Sequence, residues 1–529
     1  MHTWQTIDAA KRSMTVGHDV PWLLHAQASE RPDKPFLVWE PFDGPSRTWS
    51  YAEFEHDVAN VAAHLQALGL APGDRVLIHL ENSPEFLLTW FSCAAAGAVA
   101  VSTNTQAVAR DITYFADHVS AALAVTSPRF APVLAQSCPS LRHLIVTDHD
   151  AGTPASPVSV PHIPFNELLT ETDARVGRAT DPLADLAIQF TSGTTSRPKA
   201  VVWTHANAIW AGQVNVAHMR LRADDVVLTV LPLFHTNAQS YSMMSTLWAG
   251  GTIVLAPRFS ASRFWDVSVR RRVTWCSMVP FCARALLAQP PPPVHAYRFW
   301  APAVKMRRVE SALGIPTLPW WGMTETVAHG IVGTLDHPTP SGTIGRPSPA
   351  YEINVRDDAG APIRPGESGR LFIRGVRGIS LFKEYLGDPE ATESAFDASG
   401  WFDTGDIVSM DTEGNLFFKD RANDVLKVGG ENVAASEVEA VILETGLVAE
   451  CAVVGQSHPM LDEVPVAFVI PTGEAGELEQ RLRNACEEGL APFKVPHAFH
   501  IVDELPRAAL DKVAKAELRR RLLPAPYAG

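Results

Sequence analysis

QFTSGTTSRPKAVVWTHAN, residues 189–207, decides how the rest of this 529-residue chain is read. A short apolar β-like run, Leu186–Phe190, enters a loop of hydroxyls with a single glycine and two cations, Arg197 and Lys199. Thr191, Ser192, Gly193, Thr194, Thr195 and Ser196 offer backbone N–H groups and hydroxyls in one tight turn. Polyphosphate oxygens need many short donors and little side-chain bulk, which is what this loop supplies. It is not a Walker A loop, because no G-x-x-x-x-G-K-[ST] pattern runs across it.

Outward from this loop, strands alternate with helix-length segments. Ser50 and Glu53 form a capping box, and Phe54, Val58, Val61, Leu65 and Leu68 follow at helical spacing up to Gly69. Strand-like runs recur at Val76–Leu80, Leu123–Val125, Leu144–Thr147, Leu186–Phe190, Val226–Val230, Thr252–Leu255 and Thr274–Val279. This alternation predicts βαβ units with largely parallel sheets. The run Phe86–Val101 is short for a membrane span and carries Thr89, Ser92 and Gly97, so it reads as a buried helix followed by a strand. Ala151–Pro164 and the proline run Pro290–Pro293 read as connectors. Beyond Gly342 the texture turns to short strands with Gly, Pro and Asp turns, as in Tyr351–Arg374. The last segment mixes strands (Ala452–Val454, Val466–Ile470) with helices (Ser436–Thr445, Glu477–Glu488).

The fold class expected is α/β: a large N-terminal region of two βαβ-type subdomains plus a β-rich one, then a small mobile α+β C-terminal domain. Hydrophobic residues at 46% and charged residues at 19% suffice for a large core. A net charge of −14 argues against a nucleic-acid partner. The 6 cysteines are scattered without a C-x-x-C, which indicates neither a zinc site nor a disulfide framework and fits a cytoplasmic protein. The N-terminus has no signal-peptide core.

Further segments stand in a telling order: PLFH (Pro232–His235), WGMTET (Trp321–Thr326), GESGRL (Gly366–Leu371), GWFDTGD (Gly400–Asp406), DRANDVLKVGGENV (Asp420–Val433) and LPRAALDKVAKAELR (Leu505–Arg519). With the hydroxyl loop they resemble the motifs of the acyl-adenylate-forming superfamily of acyl-CoA synthetases, peptide-synthetase adenylation domains and firefly luciferase. Within it the chain most resembles acyl-CoA ligases of the carnitine-CoA and 4-chlorobenzoate-CoA type. The resemblance implies ATP/AMP, Mg2+ and coenzyme A, a carboxylic acid or its acyl-adenylate as partner, and a homo-oligomer as an option. It places the N-terminal adenylate-forming domain at 1–420 and the mobile C-terminal domain at 421–529.

A carboxylate is a poor acyl donor because its leaving group would be oxide. Joining it to AMP gives a mixed anhydride that a thiol can attack. For this chemistry the resemblance assigns roles residue by residue. Thr191, Ser192, Gly193, Thr194, Thr195 and Lys199 hold the triphosphate. Thr324 meets the α-phosphate and Glu325 holds Mg2+, a hard cation suited to carboxylate and phosphate oxygens. Trp321 covers adenine, followed by Gly322 and Met323, with Ala301 and Pro302 as the opposing wall. Asp406 accepts the ribose hydroxyls beside Arg421. Lys512 offsets charge in the adenylation transition state. His235 gates the acyl carboxylate and the thiol path, Gly429 and Gly430 line the pantetheine tunnel, and Phe493 and Lys494 meet the CoA nucleotide. Asn423 is the hinge. His235, Asn237, Ala303, Thr326 and His329 fall in the acyl-pocket segments, whose mostly apolar or small composition, His329 excepted, points to an apolar acid with bulk allowed.

Some positions depart from the family pattern. Ser196 and Ala200 stand where Gly is usual, Trp203 adds bulk just beyond, Ala435 replaces Pro, and Ala508 and Asp511 replace Thr and Gly near Lys512. They raise the alternative of an enzyme weak in adenylation that mainly converts a supplied acyl-adenylate and CoA. A carrier-protein-loading ligase and a non-catalytic adenylate-binding protein are further alternatives.

Overall fold

The computed structural model describes residues 17–107, 109–155, 158–174, 176, 180–191, 198–421, 425–428, 431–458, 461–473, 476–490, 492–507 and 513–522. The chain divides into two compact units. The first comprises Met1–Gly193, Arg197–Ile353 and Ile373–Phe402; the second comprises Thr194–Ser196, Asn354–Phe372 and Asp403–Gly529.

The first unit is built on two large sheets. A 6-stranded sheet runs in the order Phe299–Pro302, Trp275–Met278, Val226–Thr229, Thr252–Leu255, Pro35–Trp39, Arg47–Ser50. Its strand pairs are parallel except the last. An 8-stranded sheet runs Glu384–Tyr385, Lys199–Thr204, Asp185–Thr191, Val99–Ser102, Arg75–His79, Leu123–Thr126, His143–Val146, Ile163–Pro164. It is parallel from Asp185–Thr191 onward and antiparallel at the other edge. The central strands are buried along their length, as parallel strands covered on both faces must be.

Local chemistry explains the elements. The helix Tyr51–Ala67 starts at the capping box read from the sequence: Ser50 Oγ accepts from Glu53 N, and the Glu53 carboxylate accepts from Ser50 N. Such a cap is worth about 1 kcal/mol. Phe54, Val61 and Leu65 are fully buried on its inner face. Phe86–Val101 resolves into the helix Pro84–Ala96 and the strand Val99–Ser102, with Gly97 at φ 73° turning the chain between them. Thr89 and Ser92 are buried inside that helix, bonding to the carbonyls of Glu85 and Val58. Among the described residues no helix is long and apolar enough to cross a membrane.

The second unit carries most of a 4-stranded sheet, Glu352–Arg356, Ser368–Arg374, Phe402–Met410 and Leu416–Arg421, where the sequence places short strands. It also holds a 5-stranded sheet whose longest pair, Val448–His458 with Asp462–Pro471, is antiparallel. The helices Ala435–Glu444 and Leu478–Gly489 bury Val438, Ile442, Leu482 and Cys486 in one core with Val453, Ala467 and Val469. Ala435, standing where the family has Pro, is the buried first residue of its helix.

Candidate functional site

The strands that flank the hydroxyl loop pair antiparallel. Asp185–Thr191 pairs with Lys199–Thr204, ending at the pair Thr191 and Lys199, and Thr191 Oγ1 reaches the Lys199 carbonyl at 3.5 Å. Ser192, Gly193, Thr194 and Thr195 lie outside the described residues, as do Ser196, Asn423, Gly429, Gly430, Asp511 and Lys512. Ala200 is a strand residue opposite Phe190, 1% exposed, with its methyl in the core. It has no left-handed backbone, so its Cβ carries none of the strain that the departure from Gly suggests.

The rest of the opening stretch does structural work. Thr204 caps the helix His205–Met219 in a box with Asn207. Thr204 Oγ1 also donates to the Gly378 carbonyl at 2.6 Å, and Asn207 Nδ2 to the carbonyls of Ile379 and Leu381, both at 2.8 Å. These bonds fix the segment that delivers Tyr385 to the sheet edge beside Val201. Tyr385 then donates its hydroxyl to Glu325 Oε1 at 2.9 Å, while Lys199 Nζ lies over the Tyr385 ring at 4.5 Å.

Thr324 and Glu325 sit in the turn after the strand Trp320–Trp321. Thr236 Oγ1 donates to Gln189 Oε1 at 2.8 Å, which leaves its oxygen to accept from Thr324 Oγ1 at 2.9 Å. The Thr324 carbonyl accepts from Trp203 Nε1 at 2.8 Å. Trp203, read from sequence as added bulk, is a fully buried strut under the turn. Glu325 is 5% exposed. Thr326 is buried, and its hydroxyl closes the turn on Met323 N at 2.9 Å, so here it shapes backbone. Val327 follows at φ 54°, where a β-branched side chain is strained, and the Ala328 N–H closes a γ-turn on the Thr326 carbonyl at 2.5 Å. Ser240 Oγ, bonded to the Val327 carbonyl, holds this geometry.

His235 lies just before a wide helical turn, Asn237–Met244, of the π type that recurs at functional sites, and its carbonyl accepts from the N–H groups of Ala238 and Gln239, both at 3.1 Å. Its segment is clamped by Asn82, which accepts from Leu233 N at 2.8 Å and donates to the carbonyls of Leu231 and Ala256 at 3.1 Å each. Gln239 Nε2 bonds Ser102 Oγ and the Leu233 carbonyl, both at 2.9 Å. Asn82, Trp203, Tyr385 and Gln239 escaped sequence reading, since nothing in their local pattern marks the distant groups they bind. Ala301 and Pro302 are buried at the end of the strand Phe299–Pro302, and Ala303 is exposed just beyond. His329 is fully buried; burial first and the nearby His218 second hold its imidazole well below the ordinary range.

In the second unit Asp406 and Arg421 are register partners on adjacent strands. Asp406 is 5% exposed, and its N–H is tied to Thr404 Oγ1 at 3.1 Å. Phe493 is 38% exposed on the turn Pro492–Lys494, but the Lys494 ammonium is already bonded to both oxygens of Glu437 at 2.8 Å.

Residues 24–386 match the AMP-binding enzyme family and residues 437–512 match the AMP-binding enzyme C-terminal domain. The chain belongs to the AMP-binding enzyme family. It is 35% identical over 505 residues to crotonobetaine/carnitine–CoA ligase of Escherichia coli O139:H28, covering 92% of this chain and 96% of that one. Among solved structures, O-succinylbenzoate-CoA synthetase (MenE) of Bacillus subtilis with ATP and magnesium ion superposes with a TM-score of 0.81 at 26% identity, covering 94% of this chain and 98% of that one. A benzoate CoA ligase from Burkholderia xenovorans LB400 gives 0.82 at 26% identity, covering 95% and 99%. This member of the AMP-binding enzyme family is an AMP-forming acid–thiol ligase that makes acyl-CoA through an acyl-adenylate and uses ATP, Mg2+ and CoA.

The residues present fit Mg2+. Among the described residues no group of three or more His, Cys, Asp or Glu could hold a metal, whereas Glu325 offers one buried carboxylate. One carboxylate completed by substrate phosphates is the usual way Mg2+ is held.

Proposed function

We propose that this ligase runs both half-reactions itself, adenylating a carboxylic acid in the first unit and then passing the acyl group to CoA. The observation that carries this reading is the bracing of the Thr324–Glu325 turn. Trp203, Thr236 and Tyr385 each fix one of its polar atoms. Preorganised donors and charges of this kind act where charge develops in a transition state. Thr324 meets the α-phosphate, and Glu325, held by Tyr385, takes the Mg2+ that neutralises phosphate charge when bound. Trp321 covers the adenine, Ala301 and Pro302 wall it, and Asp406 with Arg421 holds the ribose. Thr191, Lys199 and the hydroxyls between them grip the triphosphate.

The carboxylate oxygen attacks the α-phosphorus and pyrophosphate leaves. Lys512 stabilises the negative charge that builds there. CoA thiolate then attacks the acyl carbon of the adenylate, forming the thioester and expelling AMP, with His235 guarding the entry. Residues 421–529 act as the mobile domain, hinged at Asn423, which exchanges Lys512 for the Gly429–Gly430 tunnel between the two steps. Phe493 is the better candidate for the CoA nucleotide, because Lys494 is already paired. The reading places the enzyme in the cytoplasm, where ATP and CoA are found.

The test is product analysis. Purified enzyme with ATP, Mg2+, CoA and a panel of acids should give AMP, pyrophosphate and acyl-CoA in equal amounts for the matching acid. ADP and phosphate in their place would refute the reading.

A further inference from the structure

Directly beneath the Trp321–Thr326 turn, Tyr241, Trp320 and His329 form one buried group. Ring centroids are 4.1 Å apart for Trp320 and His329, 4.2 Å for Tyr241 and Trp320, and 4.4 Å for Tyr241 and His329. Exposure is 0% for His329, 5% for Tyr241 and 6% for Trp320. The hydroxyl of Tyr241 is pressed against the turn itself: a Cβ on Gly322 would collide with it. The rings pack on one another, so much of their apolar surface is mutually covered.

The polar edges are a different matter. Among the described residues, neither ring nitrogen of His329 has a hydrogen-bond partner, nor has the Tyr241 hydroxyl, nor Asn237 Oδ1 one helical turn earlier. A buried polar atom left without a partner is destabilising, and buried polar groups in folded proteins are nearly always satisfied. His329 and Tyr241, with ring centroids 4.4 Å apart, both carry such atoms beside the reactive turn, which points to a ligand that completes them.

We infer that the acyl chamber recognises a compact acid bearing a neutral hydroxyl or aryl-amino group, which hydrogen-bonds to His329 and Tyr241. This rests on the ligase reading above and specifies its substrate class. A single ligand hydroxyl or arylamine can bond one imidazole nitrogen and the Tyr241 hydroxyl together, since the neutral ring offers a donor or an acceptor there by tautomer and the phenol does both at one atom. The depressed His329 leaves that ring uncharged at neutral pH, so it offers no counter-charge to a second carboxylate. A quaternary ammonium of the carnitine kind needs open aromatic faces, and here the rings cover one another. Composition of these segments suggests an apolar acid; the unsatisfied edges of His329 and Tyr241 favour a substituted one.

The experiment compares kcat/KM for the three monohydroxybenzoates, the matching aminobenzoates and benzoate, with carnitine and octanoate alongside, by pyrophosphate release. The same preference is measured in CoA thioester formation from the synthetic hydroxybenzoyl- and benzoyl-adenylates, which bypasses the first step. At least one substituted acid should exceed benzoate by tenfold or more. Tyr241→Phe and His329→Leu should each bring that ratio toward one, with unchanged circular dichroism confirming that the variants fold. Silence in pyrophosphate release with the preference intact from the adenylates would remove the adenylation step and leave this inference standing. Benzoate, carnitine or octanoate matching every substituted acid, or a ratio untouched in both variants, would overturn it.

Discussion

Thr324 in the first unit and Asp406 in the second are both assigned to the nucleotide, yet they are supported in different ways. Thr324 and its neighbour Glu325 are held by Trp203, Thr236 and Tyr385, which lie 121, 88 and 60 residues away in sequence. The strained Val327 shows how firmly that turn is determined, since a backbone of this kind persists only where its surroundings force it. Asp406 is placed by short-range means. Thr404 Oγ1 accepts its N–H, Gly405 takes φ 71°, and Asp403 Oδ1 accepts the Gly405 N–H at 3.0 Å. The first site is a property of the whole unit, so substitutions far along the chain reach it. The second is a property of one hairpin and should be disturbed mainly from within.

Breaking the first site should have the largest effects. Glu325→Gln removes the charge offered to Mg2+ while keeping size, and adenylation should fall roughly a thousandfold, or about 4 kcal/mol, measured as pyrophosphate release. A loss under tenfold would put the metal elsewhere. Lys512→Ala should lower adenylation by about a hundredfold but spare thioester formation from a supplied acyl-adenylate; equal loss in both steps would deny Lys512 its separate role. Trp203→Phe deletes the bond to the Thr324 carbonyl and leaves a small void where the indole was buried. About tenfold slower adenylation is expected from the loss of one buried hydrogen bond, and an unchanged rate would mean the turn stands without its strut.

In the second unit, Thr404→Val removes the acceptor for Asp406 N–H and the donor to the Leu371 carbonyl. It should raise KM for ATP by roughly threefold to tenfold, within the range of one hydrogen bond, while kcat changes little. A collapse of kcat would erase the contrast between the two supports.

The smallest effect concerns stability alone. Burial lowers the His149 pKa, but the bond to Glu85 at 3.2 Å and the charges of Glu85, Asp148 and Asp150 outweigh it and leave the group raised. A raised folded pKa stabilises below the unfolded value of about 6.5 and is lost as pH rises through the folded one. Wild type should therefore lose stability relative to His149→Gln between pH 6 and pH 8, read from melting curves. Parallel curves would show that the pair contributes nothing.

Much of this architecture is legible in the sequence because it is written locally. The Ser50 and Glu53 cap, the split of Phe86–Val101 into helix and strand, and the order of the motif segments all depend on neighbours within a few residues. What is not legible depends on distance in the chain. Trp203 reads as excess bulk until its indole is seen against Thr324, and Ala200 reads as a misplaced Cβ until the hairpin turns it into the core. Asn82, Gln239 and Tyr385 are ordinary polar residues in sequence, and only the fold brings them to Leu233, Ser102 and Glu325 respectively. The open hydrogen-bonding edges of His329 and Tyr241 are likewise a three-dimensional fact.

The central claim, that the braced turn makes the acyl-adenylate within this chain, is tested most directly by ATP–pyrophosphate exchange. Labelled pyrophosphate should enter ATP only when a matching acid is present, and Glu325→Gln should abolish that exchange while leaving the fold intact. No exchange with any acid, alongside brisk CoA thioester formation from a synthetic acyl-adenylate, would contradict the account and leave an enzyme of the second half-reaction alone.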